Sequence, residues 1–289
     1  MAITLAILSA VLMAVAVASV LLGTGLRHTP NQNGAFRAYG WLNSALVFGF
    51  LAGYARILEA SSPPFPPIDA THWLYYAALA ALLPMQLFAF QRRRWALGFL
   101  LPLLVATPLL LSWPLFSQPN FPWILVLGVG FLNLTLPHFL DRALPQQATP
   151  GPALAFVCTS GTLAIQLGLF ARSGLLSELA LILAALQGLI WLLSWQDRHV
   201  SLTRGYLVLT VLVTTSLGLL GAIYANLTWE VLPLTLALAT PLLSQLPFVR
   251  QRSPRFGFGL TVGITLFLCL SALCLGVALH PSSLSGSAF

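Results

Sequence analysis

Between Trp73 and Phe90 the chain runs through an apolar stretch that carries one proline and no charge, and it ends on Arg92-Arg93-Arg94. That plan, an apolar run of membrane length closed by arginine, recurs along the whole sequence. A helix needs about 20 mainly apolar residues to cross a hydrocarbon core of roughly 30 Å. In lipid the backbone must satisfy its own polar groups, so these runs are expected to be helices. Ten spans can be marked: Ile3–Leu26, Ala38–Leu58, Trp73–Phe90, Ala96–Phe116, Phe121–Leu140, Pro152–Phe170, Leu175–Trp195, Gly205–Asn226, Val231–Val249 and Phe256–Leu279. The connections are short and nothing marks off a soluble unit. The expected fold is therefore all-α: one polytopic transmembrane helix bundle filling residues 1–289. Composition agrees, because 58% of residues are hydrophobic and 7% charged, against roughly 45–50% and about 25% in soluble domains.

Arginine sets the orientation. The loops after the odd-numbered spans hold Arg27, Arg37, Arg92, Arg93, Arg94, Arg142, Arg198, Arg204, Arg250, Arg252 and Arg255, and the other side only Arg56 and Arg172. The positive-inside rule makes the arginine-rich loops cytoplasmic and puts both termini outside. Trp73, Trp113, Trp123 and Trp229 fall at expected outer ends, and Trp41, Trp95, Trp191 and Trp195 at inner ends. That is an aromatic belt at each interface. The net charge of +7 is explained by this topology, so nucleic acid is not an expected partner. The lipid bilayer is, along with membrane-protein partners or a second copy of the chain. The first span has small residues near Ala14–Ser19, as a cleaved leader would, but no positive segment precedes it. It is read as a span.

An offset of 157 residues aligns Thr71 with Thr228, Pro84 with Pro241 and Arg93 with Arg250. It suggests a parallel duplication of spans 1–4 in spans 7–10, a device that transporters use. The alternative is that leucine-rich helices align with one another easily.

The expected chemistry is sparse. No ionisable residue falls at mid-span, the strongest pointer to function in a membrane protein. Asp141-Arg142 and Asp197-Arg198-His199 read as anchors at helix ends, and Glu230 as one of four acids on the outer side, with Glu59, Asp69 and Glu178. Of five histidines only His138 borders a span, so neither haem nor a metal site is expected. Cys158, Cys269 and Cys274 lack metal or disulfide spacing. No HExxH, CxxC, P-loop or GxSxG motif is present. The chain is not expected to be an enzyme or to carry a cofactor.

Uncharged polar residues remain. Asn133, Thr159, Ser160, Gln166 and Gln187 sit near mid-span, with Thr135 and Thr162 beside them. In lipid such groups turn towards other helices or a cavity. They are candidates to line a pathway, and the alternative role, helix–helix glue, is the commoner one for such residues. Gly49-x-x-x-Gly53 and Gly259-x-x-x-Gly263 permit close helix contact. Pro84, Pro102, Pro108, Pro137, Pro233 and Pro241 lie inside spans, where each removes a backbone donor. The loop Glu59–His72, with its SSPPFPP run, is expected to be a stiff extended cap. These features suggest a permease or channel-like protein for a small neutral or weakly charged solute. The alternative is a non-catalytic integral subunit or assembly factor of a larger membrane complex.

Overall fold

The computed structural model describes residues 2–27, 34–58, 63–89, 93–116, 121–144, 150–196, 204–245, 249 and 254–281. Ten helices carry the apolar runs: α1 (Ala2–Arg27), α2 (Gly34–Ile57), α3 (Ala70–Ala89), α4 (Arg93–Ser112), α5 (Trp123–Ala143), α6 (Pro150–Leu169), α7 (Gly174–Gln196), α8 (Arg204–Ala225), α9 (Thr228–Ala239) and α10 (Pro254–Leu279). No strand occurs among the described residues. The fold is an all-α membrane bundle. Among the described residues seven helices, α1, α4 to α8 and α10, are long and apolar enough to cross a bilayer. The span expected over Val231–Val249 divides in two: α9 stops at Ala239, and a 3-10 helix takes over at Thr240–Gln245, where Pro241 has no N–H to offer an α-turn. By contrast α3 runs unbroken through Pro84.

The bundle is built around α8. Every residue from Gly205 to Ala222 is buried, and α8 touches α2, α3, α4, α5, α6, α7 and α9. A helix with no charge between its ends and no polar face can be covered on all sides. At the periphery α1 and α10 each bury little of their surface. They turn Leu12, Val20, Phe267 and Leu270 outward, as lipid-facing helices do.

Small residues set the closest contact. Ala10, Ala14 and Ala18, four residues apart, form one buried stripe on α1. Opposite lie Gly49 and Gly53 of α2. A Cβ on Gly49 would stand 2.8 Å from Leu186 Cδ2 and 2.9 Å from the carbonyl oxygen of Ala14, and one on Gly53 would stand 2.7 Å from Ile182 Cδ1. The first GxxxG therefore joins α1, α2 and α7. The second, on α10, meets nothing within 4 Å of either glycine. The most extensive pairings join α1 to α2 and α6 to α7, five helices apart, whereas α7 touches α8 lightly. A repeat offset by six spans would instead pair α7 with α8 as α1 pairs with α2.

The connections define two ends. The starts of α3, α7 and α9 and the ends of α4, α6, α8 and α10 meet at one end, which also holds a cavity and is called the cavity end below. Arg56 and Arg172 belong to it. Arg27, Arg93, Arg94, Arg142 and Arg204 lie at the opposite ends of their helices.

Candidate functional site

A cavity of about 420 Å³ opens at the cavity end, lined by Ile68, Asp69, Ala70, Thr71, Pro114, Ser173, Leu175, Leu176, Leu220 and Tyr224. Short-range bonds fix its rim. Asp69 caps α3, its Oδ1 accepting from the Thr71 backbone N–H at 2.8 Å and from the Thr71 hydroxyl at 3.0 Å. The proline-rich segment is pinned by the Tyr76 hydroxyl, which donates to the Pro63 carbonyl at 2.7 Å, and by edge-on packing of Phe65 on Tyr76. On the far side the α6–α7 turn closes with Arg172 at φ 50°. There the Ser173 N–H returns to the Leu167 carbonyl at 3.0 Å. Ser173 then caps α7, its Oγ accepting from the Leu176 N–H at 3.3 Å. Asp69 is the one charged side chain in the lining.

Below the cavity, α7 and α8 face each other along a seam. On α7 the positions Leu176, Ala180, Leu183 and Gln187, spaced by four, three and four, share one face. On α8 the sequence Tyr224, Leu220, Leu217, Val213, Thr210 and Tyr206 does the same. The two faces meet at both ends. Leu176, Leu220 and Tyr224 line the cavity, and Gln187 Nε2 reaches Thr210 Oγ1 in a long contact of 3.5 Å. Tyr206, fully buried one turn before Thr210 on the same face of α8, packs its ring on Phe156. Thr210 lies ten residues below Leu220, about 15 Å at 1.5 Å per residue. Ala180, Leu183, Val213 and Leu217 fill the interval, each at most 1% exposed. The seam holds a polar cluster separated from the cavity by an apolar plug.

The five polar residues singled out in the sequence are all buried, but they do not gather in one place. Asn133 of α5 accepts from the Thr215 hydroxyl of α8 at 2.6 Å. Gln187 joins the seam. Gln166 of α6 donates to the Glu230 backbone carbonyl at 3.2 Å. Thr159 returns its hydroxyl to the Ala155 carbonyl at 2.8 Å, and Ser160 Oγ has no partner among the described residues. Neither described cavity is lined by any of the five.

The second cavity, about 430 Å³, lies between α5 and α9 with Thr215, Gly218, Leu219 and Ala222 of α8 as its floor. Its walls include Ile124, Phe131, Trp229 and Leu232. Thr215 connects that floor to Asn133.

The places of four residues were not visible in the sequence. Thr210 and Tyr206 form the seam cluster with Gln187. Glu230, read as a surface acid, is only 1% exposed, and His280 Nε2 lies 2.8 Å from its Oε1. A signal for α8 existed: Thr210, Thr214, Thr215 and Ser216 are the densest run of hydroxyls in any span. No three His, Cys, Asp or Glu side chains cluster to hold a metal among the described residues. Compared with protein families, with curated proteins and with solved structures, the chain matches none.

Proposed function

We propose that this protein is a permease or channel-like protein for a small neutral or weakly charged solute, with the α7–α8 seam as its path. The observation that supports this reading is the alignment of the cavity with the seam. The cavity extends to Leu220, and about three to four turns deeper on the same face of α8 lie Thr210 and Tyr206, with Gln187 of α7 opposite Thr210. A volume of about 420 Å³ suits a small organic solute. The seam offers hydroxyl and amide groups and no charge, which favours uncharged ligands. On the positive-inside reading of the arginine-rich loops the cavity end would face outside, and the cavity would load from the exterior.

The test places single cysteines at Gln187 and Thr210 in a cysteine-free chain reconstituted in vesicles, with Leu175→Cys at the rim as control. A membrane-impermeant thiol reagent is then added on each side. Labelling at Gln187 or Thr210, slowed by a transported solute, is the expected result. Complete protection of both while the rim cysteine reacts would overturn the path. It would leave the alternative, a non-catalytic subunit or assembly factor whose polar interior is helix–helix glue.

A further inference from the structure

We propose that the cavity between α5 and α9 binds one acyl chain of a phospholipid from the leaflet at the cavity end. The cavity is a wedge. Both helices pack on α8 but scarcely touch each other, and deeper in the bundle α5 meets the 3-10 segment Thr240–Gln245 that continues α9. The gap therefore narrows towards mid-membrane, over a floor of Thr215, Gly218, Leu219 and Ala222. Two glycines shape it. A Cβ on Gly218 would stand 2.8 Å from Val231 Cγ1, so that glycine lets α9 settle on α8, whereas a Cβ on Gly128 would meet nothing within 4 Å.

The dimensions suit a single chain. The α5 wall runs from Ile124 to Leu132, about 12 Å at 1.5 Å per residue, and half of a roughly 30 Å hydrocarbon core is about 15 Å. Trp123 and Trp229, exposed at the starts of α5 and α9, mark the upper end at the level where tryptophan meets the headgroups. The volume of about 430 Å³ is that of a pocket for one small ligand. A helix from a second copy, about 10 Å across, would displace about 1,000 Å³ over the same length and cannot enter.

The chemistry selects hydrocarbon over a polar solute. No charged side chain lines the wedge. Its two hydroxyls have their protons committed inside the protein, Thr215 to Asn133 Oδ1 at 2.6 Å and Thr235 to the Leu232 carbonyl at 2.7 Å. A solute carrying carbonyl or hydroxyl oxygens would give up water and find no donor in return, which is costly. The mouth already faces lipid, because Ile124 is 90% exposed, and Phe131 and Leu232 are exposed beside it. Left empty, the wedge would forfeit dispersion contacts along its whole lining. A chain that enters from the adjoining hydrocarbon restores them.

The groove and the α7–α8 seam lie on opposite sides of α8. At 3.6 residues per turn, Thr215, Gly218, Leu219 and Ala222 fall about half a turn away from Thr210, Val213, Leu217 and Leu220. The bound chain thus lies outside the solute path, and its test needs no solute, so its failure is distinct from failure of the transport reading.

Full-length protein is placed in nanodiscs with a phosphatidylcholine that carries a photoactivatable diazirine at a set carbon of one acyl chain. After irradiation the adducts are mapped by mass spectrometry. Helix α8 makes the test specific, because it is buried from Gly205 to Ala222 and lipid around the bundle cannot reach it. With the diazirine near the headgroup, adducts are expected on Leu219 or Ala222, and with the diazirine at mid-chain, on Thr215. Leu12 and Phe267, exposed on α1 and α10, should be labelled by the same lipids. Gly128→Trp, which fills the wedge from α5, should lose the α8 adducts and keep the peripheral ones. Leu127→Trp, at the exposed neighbouring position outside the lining, should keep both. Labelling of Leu12 and Phe267 with none on α8 in the unaltered chain overturns the proposal, and that measurement needs no variant to fold. So do α8 adducts that persist in Gly128→Trp, and α8 adducts obtained only with a free photoactivatable fatty alcohol, which would give the wedge to a different lipophile.

Discussion

Two GxxxG motifs of identical spacing offer a matched test of what holds the bundle together. A methyl group added at Gly49 would lie 2.8 Å from Leu186 Cδ2, 2.9 Å from Ala14 O and 3.2 Å from Ala18 Cβ. The leucine methyl can rotate away, but the Ala14 carbonyl is part of α1 and moves only if the helix moves. Overpacking of this kind costs about 1–3 kcal/mol. Alanine in place of glycine returns up to about 1 kcal/mol of helix propensity. At Gly263 the same substitution meets nothing within 4 Å, so only the propensity gain remains. Gly49→Ala should therefore be less stable than Gly263→Ala by about 1–3 kcal/mol, roughly 5- to 150-fold in the unfolding equilibrium. Gly53→Ala should fall between them, because its nearest neighbours are the side chain of Ile182 and the methyl of Ala14. Reversible unfolding in mixed micelles, or steric trapping in bicelles, reads the order directly. If Gly49→Ala and Gly263→Ala agree within about 0.5 kcal/mol, close approach of α1 and α2 is not what the glycines provide.

Two further outcomes follow from the interior. Leu217→Ala should cost about 2–5 kcal/mol, as buried leucines do, and should speed labelling of Thr210→Cys from the cavity end by thinning the plug. Unchanged labelling of a folded variant would refute the plug. A double-mutant cycle with Asn133→Val and Thr215→Val should give a coupling near 0.6 and no more than about 1.7 kcal/mol, the range for interhelical hydrogen bonds in membranes. Zero coupling would mean that the 2.6 Å contact contributes nothing.

Helix positions were legible in the sequence, and most contacts were not. Nearly every helix boundary falls within a few residues of the apolar run that announces it, because arginine, proline and glycine end these runs chemically. The exception is α9, where Pro241 turned the expected span into α-helix followed by 3-10 helix. The two GxxxG motifs could not be ranked, since the difference lies in the partner stripe Ala10, Ala14 and Ala18, dozens of residues away. Glu230 looked like a surface acid for the same reason. It stands one residue from Trp229, which is 67% exposed, and its partner is 50 residues later in the chain. An uncharged span reads much alike whether it lies at the centre or the rim, so beyond the hydroxyl run Thr210, Thr214, Thr215 and Ser216 the axial place of α8 had to come from packing.

The hydroxyls of α8 distinguish structure from function. Thr214 Oγ1 and Ser216 Oγ are buried without a partner among the described residues, as are Asn133 Nδ2 and Gln187 Oε1. A buried polar atom left unpaired costs about 1–3 kcal/mol, and lipid supplies no water to relieve it. If α8 served only to fill the bundle, Val at 214 and Ala at 216 would fill it better. Thr214→Val keeps the shape and removes the orphan, so it should raise stability by about 1 kcal/mol or more. On the transport reading the same change should lower solute flux, because the hydroxyl is retained for a water or solute that passes it. Unfolding and uptake measured on one preparation separate the cases. A variant that gains stability and loses flux places Thr214 on the path. One that loses stability, with flux unchanged, shows that the hydroxyl is paired in the bilayer and that it serves packing.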